Sequence, residues 1–169
     1  MAGNKYLANI AGLTTEVAGQ QTSAGAGDAN KIVALDATGK IDTTMMPVGV
    51  AADSVVIVSS EALSAGDFVN IHNSSGAKVR KADASTSAKE AHGFVIAAVS
   101  NGGNATVYFE GSNGQVTGQT PGAVFLSATT PGLATSTAPS GAGQVVQRIG
   151  FATSATSINF QSQPPVLLA

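Results

Sequence analysis

The sequence predicts an all-β protein: a compact antiparallel β-barrel or sandwich built from two pseudo-repeated four-strand units, preceded by an extended N-terminal arm with a short helix and a small hairpin. The first observation behind this prediction is a repeated pattern of glycines. Gly66 and Gly122 each lead an apolar run and lie 56 residues apart, and the Gly-Phe pairs beginning at Gly93 and Gly150 lie 57 residues apart. Spacing that agrees to one residue over such a distance indicates a duplicated unit, and the two units should share one β core.

The second observation is the composition. Hydrophobic residues make up 43% of the 169 residues, charged residues make up only 11%, and there are 20 glycines. This hydrophobicity is too high for a solvated, disordered chain, and the length suffices for one domain and an arm. We therefore expect an arm and connector over residues 1–52, a β domain over residues 53–163 with repeats at about 65–111 and 121–160, and a tail over residues 164–169.

Apolar residues near the N-terminus recur at steps of about three and four, as they do along one stripe of a helix. They are Tyr6, Leu7, Ile10, Leu13 and Val17. A helix of ~12 residues is marginal alone in water. The predicted helix therefore either frays or becomes ordered on the surface of a neighbouring subunit.

A flexible linker over residues 19–30, composed of small and polar residues, leads to a predicted small hairpin. Residues 32–35 form a short β run, and residues 36–39, Asp-Ala-Thr-Gly, form a turn in which Asp can bond its own backbone and Gly can take a positive φ. An extended connector follows, through Met45, Met46 and Pro47.

The β domain opens with the continuous apolar run of residues 54–58, which is typical of a strand buried on both faces. Turn-forming residues then separate eight further predicted strands, four in each repeat. They cover residues 67–71, 77–82, 93–99, 105–109, 123–127, 133–137, 145–151 and 156–160.

Two further stretches have alternative interpretations. Half of the eight basic residues lie close together at Lys78, Arg80, Lys81 and Lys89. They indicate either a solvated edge strand, where charge prevents edge-to-edge aggregation, or a contact for an acidic patch on a partner. The apolar tail over residues 166–168 follows two prolines and is either tucked into the domain or donated to a neighbour.

Charge and apolar patterning argue against two partner classes. The net charge is −2 and the pI is about 5.5, so there is no electrostatic footprint for a nucleic acid or an anionic membrane. No apolar run approaches the ~20 residues that span a bilayer. We therefore expect neither nucleic acid nor membrane as a partner, and synthesis in a cytoplasm.

The residues that could carry chemistry are few and scattered. The two histidines, His72 and His92, lie twenty residues apart, and a zinc site needs three or four ligands of matching geometry. The chain lacks cysteine, tryptophan and a Gly-x-Ser-x-Gly nucleophile elbow. Its carboxylates are dispersed without an aromatic platform for a sugar. We expect no catalytic residue, no metal ligand, no cofactor and no enzymatic activity.

Two segments resemble a known family. The string ALDATGKIDTTMMPVGV is similar to a segment that recurs in tailed-bacteriophage fibre and head-decoration proteins. The second repeat, GAVFLSATTPGLATSTAPSGAGQVVQRIGFATSATSINF, resembles the C-terminal β module of phage capsid decoration proteins and related tail proteins, most closely from Gln144 to Gly150. Together the two similarities cover about a third of the chain.

The resemblance implies a capsid decoration, or cement, protein located on the outer surface of a virion. Such a protein would be a homo-oligomer, most commonly a homotrimer, bound to the major capsid protein where capsid subunits meet. The arm and connector would then make the capsid contacts, through Tyr6, Leu7, Ile10, Leu13, Met45, Met46 and Pro47. The alternative is a tail or head fibre module that attaches to the host surface, which should carry aromatic-rich loops at a tip.

Overall fold

The chain divides into two compact units, Met1–Ala51 and Ala52–Ala169, here called the N-terminal unit and the β domain. A computed structural model describes residues 5–46 and 53–169. The predicted all-β class is confirmed, because fourteen strands and two short 3₁₀ turns form the regular structure of these residues. Within the same two ranges, the chain forms no helix with the length and apolar character needed to cross a membrane.

The N-terminal unit begins with a β-hairpin where the sequence predicted a helix, so that prediction is wrong. Strand β1 (Lys5–Ile10) pairs antiparallel with β2 (Leu13–Ala18). The turn residues Ala11 and Gly12 both have positive φ, 53° and 87°, as two-residue hairpin loops require. The Asn9 carboxamide oxygen accepts a hydrogen bond from the Gly12 backbone N–H at 2.9 Å.

The apolar stripe behind the helix prediction is explained by strand pairing. The register places Tyr6 opposite Val17 and Ile10 opposite Leu13, so these four side chains share one face of the hairpin, while Leu7 lies on the other. Residues on two paired strands thus reproduce helical spacing across the turn. Gly12 and the β-branched residues at positions 14, 15 and 17 favour the hairpin over the helix.

Between residues 19 and 46, the N-terminal unit contains turns rather than further paired strands. The predicted turn at Asp36 forms: its carboxylate accepts from the backbone N–H groups of Thr38 (2.8 Å) and Lys40 (2.9 Å). Residues 32–35 make only one parallel bridge, between Gln20 and Val33, so the small hairpin predicted here is instead β1–β2. The two 3₁₀ turns are Ala26–Asp28 and Thr43–Met45.

The first repeat of the β domain is a closed five-stranded barrel. Its spatial strand order is β3-β5-β4-β6-β7, and β3 closes the barrel by pairing parallel with β5 and antiparallel with β7. The strands are β3 (Ser54–Ser59), β4 (Phe68–Asn73), β5 (Ala77–Lys81), β6 (Gly93–Phe94) and β7 (Asn104–Tyr108).

The second repeat is a five-stranded antiparallel sheet of order β10-β9-β12-β13-β8. Its strands are β8 (Gly111–Asn113), β9 (Gly122–Leu126), β10 (Ala134–Thr135), β12 (Arg148–Ser154) and β13 (Ser157–Phe160). Beside it, β11 (Val145–Val146) pairs with the C-terminal strand β14 (Val166–Leu167), which attaches the tail to its own domain by backbone hydrogen bonds.

The strand orders confirm the predicted duplication and extend it. Written from the same end, they read β5-β4-β6-β7-β3 and β10-β9-β12-β13-β8, so the repeats correspond strand for strand. Each contains five strands rather than four, because a leading strand, β3 or β8, pairs with the last strand of its own repeat.

The two repeats share a hydrophobic core, as predicted. Phe68 and Phe94, on the outer side of the barrel, pack against Phe160 of the second repeat, with ring centroids 5.6 Å and 5.7 Å from it. A second, smaller cluster fills the inside of the barrel. Its buried members are Leu63, Val69, Val79, Val95, Ala105 and Val107.

The Gly-Phe pairs recur because the neighbouring strand leaves no room for a side chain at the glycine. A Cβ at Gly93 would lie 2.5 Å from the carbonyl oxygen of Tyr108, and one at Gly150 would overlap the carbonyl oxygen of Asn159. Both glycines therefore permit close approach of the last strand of their repeat.

Two strand environments differ from the predictions. Strand β3 is not buried on both faces, because its outward side is uncovered and Val56 is 60% exposed. Strand β5, which carries the basic residues Lys78, Arg80 and Lys81, is not an edge strand, because it pairs with β3 on one side and β4 on the other. Barrel closure brings β3 and β5 together, and alternation within one strand cannot reveal it.

Candidate functional site

The N-terminal unit combines many exposed apolar side chains with no buried residue among residues 5–46. Of the large apolar side chains exposed in the described parts of the chain, more than half lie in this unit. They are Leu7, Ile10, Leu13, Ile32, Val33, Leu35, Ile41 and Met46. A concentration of exposed apolar side chains in a unit of this size is typical of protein interaction sites.

The hairpin concentrates three of these residues. Ile10 and Leu13 flank the turn on the face that also carries Tyr6 and Val17, and Leu13 is 71% exposed. On the opposite face, Lys5 and Glu16 form an ion pair at 2.8 Å, next to Leu7, which is 73% exposed. The hairpin therefore has one apolar face and one mixed face.

A groove of about 590 Å³ runs along the unit behind the hairpin. Tyr6, half-buried, lines it together with Ile32, Val33 and Leu35. One edge of this extended segment is held by Gln20, whose N–H donates to the Ile32 carbonyl at 2.8 Å and whose carbonyl accepts from Ala34 N–H at 2.8 Å. The apolar side chains beside that edge remain open to a partner.

Local carboxylate hydrogen bonds hold the unit in shape. Hydrogen bonds from Lys31 and the Ala24 N–H lower the pKa of Asp28. The backbone N–H of Lys40, followed by Thr38, lowers the pKa of Asp36, and Thr44 does the same for Asp42. Each carboxylate is therefore stabilised in its charged form by the turn that it organises.

The structure brings together some of the predicted contact residues. Tyr6, Ile10 and Leu13 share a hairpin face, while Leu7 projects from the other. Met45 ends the second 3₁₀ turn and is half-buried, and Met46 follows it exposed. Pro47 lies outside the described residues.

Sequence reasoning missed the groove residues Ile32, Val33 and Leu35. Their apolar run predicts one strand of a hairpin, in which one face would be covered. The run instead forms a single bridge, between Val33 and Gln20, thirteen positions earlier, so its side chains stay half-exposed. The available signal was the absence of a second apolar run long enough to pair with it.

Three of the four clustered basic residues, Arg80, Lys81 and Lys89, make contacts inside the β domain. Arg80 donates to the Asn70 carboxamide oxygen at 3.0 Å and to the Ala88 carbonyl at 2.7 Å, which fixes the loop after β5. Lys81 lies 3.5 Å from Asp67, and Lys89 lies 3.7 Å from Asp83. These contacts disfavour the alternative of a basic patch reserved for an acidic partner.

The histidines have separate structural contacts. His72 Nε2 lies 3.0 Å from the Ser60 hydroxyl, and burial, followed by the nearby Arg80, lowers the pKa of His72. His92 Nδ1 accepts from the Ile71 N–H at 3.0 Å. Within residues 5–46 and 53–169, no three His, Asp or Glu side chains converge as metal ligands.

Comparison with protein-family models, with curated proteins and with solved structures gives no match. A functional proposal therefore depends on the surfaces of the chain itself and on the sequence resemblance described above.

Proposed function

We propose that this protein is a virion structural protein that decorates and stabilises the capsid of a tailed bacteriophage by bridging capsid subunits through its N-terminal unit. The observation that carries the proposal is the contrast within that unit: no buried residue among residues 5–46, and eight exposed large apolar side chains. The resemblance of residues 34–50 and 144–150 to head-decoration proteins supports the choice of partner, the major capsid protein.

The exposed side chains provide the binding energy. Full burial of one Leu or Ile side chain stabilises a complex by about 1.5–3 kcal/mol. Leu7, Ile10 and Leu13 are all more than half exposed in the free chain, so covering them on a capsid subunit retains most of that gain. Several copies joined in one homo-oligomer would multiply the effect through high effective concentration.

The β domain serves as the body of the assembly. From Ala91 to the C-terminus it carries only Glu110 and Arg148 as charged residues, and its polar surface consists largely of Ser, Thr, Asn and Gln. Such groups can be buried against another protein at lower desolvation cost than full charges. We therefore propose self-association, as a homotrimer by resemblance to decoration proteins, with no catalytic function.

The direct test is occupancy of capsids that lack the protein. The double variant Leu7→Asn, Leu13→Asn should bind at least tenfold more weakly than the natural chain, since a loss of about 1.4 kcal/mol is tenfold in affinity. A matched control, Val56→Asn, Val166→Asn, changes comparably exposed apolar residues of the β domain. Undiminished occupancy of the Leu7/Leu13 variant, or of a chain lacking residues 1–30, would refute the role of the N-terminal unit.

The copy number in purified virions distinguishes decoration from a fibre. A decoration protein covers the shell and is present in many copies, whereas a fibre module that attaches to the host is present in few. Quantitative mass spectrometry against the major capsid protein measures this ratio. A ratio of a few copies per virion would favour the fibre alternative.

A further inference from the structure

A cleft of about 340 Å³ opens in the β domain where three segments meet: the loop before β4, the crossing after β8 and the turn before β10. The Asn113 carboxamide donates to the Gly66 carbonyl at 2.9 Å, and the Phe68 N–H donates to the Gly132 carbonyl at 2.8 Å. Gly66 also packs so closely on the Gln115 carbonyl oxygen that a Cβ would lie 2.5 Å from it. These contacts preform the cleft, whose volume is in the range of small-molecule binding sites.

The cleft is lined by a buried carboxylate that has one oxygen free. Asp67 is 3% exposed. Its Oδ2 accepts from the Ser64 N–H at 2.8 Å and lies 3.5 Å from Lys81 Nζ. Its Oδ1 has no hydrogen-bond partner among the described residues, in which every fully buried side-chain oxygen has one, so Oδ1 is open to the cleft. Because a carboxylate only accepts, a group that binds at Oδ1 must donate a hydrogen bond.

The charges around the cleft favour a neutral ligand. Of the described residues that line it, only Asp67 and Lys81 are charged, and their charges are opposite. Lys81 repels a cation placed at Asp67, and Asp67 repels an anion placed at Lys81. Since an ammonium group only donates, the ligand that satisfies both side chains is uncharged and carries a donor for Asp67 beside an acceptor for Lys81.

The remaining lining combines neutral polar side chains with a small apolar surface. Pro131 and Leu133 are exposed there, Leu133 by 47%. Hydroxyl and carboxamide groups both donate and accept, and so do the hydroxyl groups of a sugar, whose ring C–H groups can pack on Pro131 and Leu133. A single peptide amide would leave most of these polar groups unused. The polar side chains are Ser64, Gln115, Thr117, Gln119 and Thr130.

We propose that this cleft binds a neutral saccharide through Asp67, Lys81 and the surrounding hydroxyl and carboxamide side chains. Phe68 is the only aromatic residue among the described ones that line the cleft, and it is fully buried. No ring face is therefore available to stack on the sugar, and we expect weak, millimolar binding. The site belongs to the β domain alone, so it is a further activity beside capsid decoration and does not depend on it.

The test is a titration of the full-length, ¹⁵N-labelled protein with glucose, galactose, mannose and N-acetylglucosamine, each added separately and followed by NMR. At least one of these sugars should cause saturable shifts of amide signals from residues 64–67, 115–119 and 130–134. N-acetylalanine amide provides the peptide comparison and should bind more weakly. Absence of saturable shifts with all four sugars would overturn the proposal, and so would tighter binding of N-acetylalanine amide than of any sugar.

The variant Asp67→Asn changes the hydrogen-bonding character of the cleft. The Ser64 N–H retains an acceptor if the carboxamide oxygen replaces Oδ2, and this orientation turns the NH₂ group toward the cleft in place of Oδ1. An acceptor is thus replaced by a donor, and the affinity for the sugar should fall at least about tenfold, as expected for loss of a hydrogen bond to a charged group. Circular dichroism and the thermal midpoint show whether this variant is folded.

A second variant avoids the buried position. Gln115→Ala removes an exposed carboxamide from the cleft and should weaken sugar binding about threefold, as expected for one neutral hydrogen bond. Gln163→Ala removes an exposed glutamine outside the cleft and should leave the affinity unchanged. Undiminished binding by both cleft variants, or an equal loss in Gln163→Ala, would overturn the proposal. The capsid-occupancy test of Leu7 and Leu13 has no bearing on this result, so the two proposals can fail separately.

Discussion

The two units of the chain are stabilised in different ways. In the β domain, nineteen hydrophobic residues are buried, and they form one cluster inside the barrel and one between the repeats. Among residues 5–46 none is buried, although this unit carries long apolar side chains such as Leu7, Ile10 and Leu13. The difference is therefore in packing rather than in hydrophobicity: within residues 5–46, no surface covers these apolar side chains.

The hydrogen bonds of the two units also differ: those of the β domain join distant, buried segments, and those of the N-terminal unit are local and exposed. In the β domain, the buried Gln147 side chain bonds Ala91 in both directions, accepting from its N–H at 2.7 Å and donating to its carbonyl at 2.9 Å, across 56 positions of sequence. In the N-terminal unit, Asp36 bonds residues two and four positions away. Local, exposed bonds of this kind each contribute little net free energy. The β domain is thus stabilised by contacts between distant segments, whereas the N-terminal unit relies on local ones.

The largest expected effect comes from the shared aromatic core. Phe94→Ala should lower the free energy of unfolding by about 3–5 kcal/mol, since it removes a fully buried ring between the repeats. Leu7→Ala removes an apolar side chain that is mostly exposed and should change it by about 0.5 kcal/mol or less. Denaturant titration of the full chain, followed by far-ultraviolet circular dichroism, measures both.

The same two variants test whether the two units really differ in how far their apolar side chains are buried. Equal destabilisation by Leu7→Ala and Phe94→Ala would mean that the N-terminal unit has a covered apolar core in solution. In that case its exposed side chains would not be available to a partner.

An intermediate effect is expected at the polar contact between the repeats. Gln147→Ala should lower the free energy of unfolding by about 1–3 kcal/mol. It removes the acceptor of the buried Ala91 N–H and the main donor to the Ala91 carbonyl. The matched variant in the other unit is Gln21→Ala, which removes an exposed bond of 2.7 Å to the Leu35 carbonyl and should cost about 0.5 kcal/mol or less. Thermal and denaturant unfolding of both variants should agree on this order, and the reverse order would contradict it.

The sequence revealed the β domain better than the N-terminal unit, for a physical reason. The repeat of Gly93 and Gly150 reports a steric constraint imposed by the neighbouring strand, and such a constraint leaves the same residue at both positions. The fifth strand of each repeat and the closure of the barrel depend on pairings between distant segments, such as β3 with β5. Nothing in either segment alone specifies them.

The hairpin shows the opposite case, in which the right residues were found in the wrong element. Tyr6, Ile10 and Leu13 do share a face, as the stripe predicted, but on two paired strands. Spacing of three and four residues fits both a helix and the two sides of a tight turn, and the positive φ of Ala11 and Gly12 decides between them. The groove was not predictable, since it depends on Gln20 holding the segment at Val33.

The smallest expected effects come from two carboxyl groups, one in each unit, whose pKa values shift in opposite directions. Burial raises the pKa of Asp67 in the β domain, although the Ser64 N–H and Lys81 partly offset it. Its stabilising contribution is therefore present below the ordinary pKa of 3.8 and is lost as the pH rises through the raised value. The N–H of Lys40 and the Thr38 hydroxyl lower the pKa of Asp36. The stabilising contribution of Asp36 is therefore present above pH 3.8 and is lost as the pH falls through the lowered value.

Carboxyl ¹³C NMR titration should place the Asp67 midpoint above 3.8 and the Asp36 midpoint below it. Asp67→Asn removes this pH dependence. Relative to the natural chain, the free energy of unfolding of the variant should therefore be higher at neutral pH than at mildly acidic pH. Midpoints on the same side of 3.8 would show that the two carboxylates share one environment, and the contrast between buried and local stabilisation would not extend to their charges.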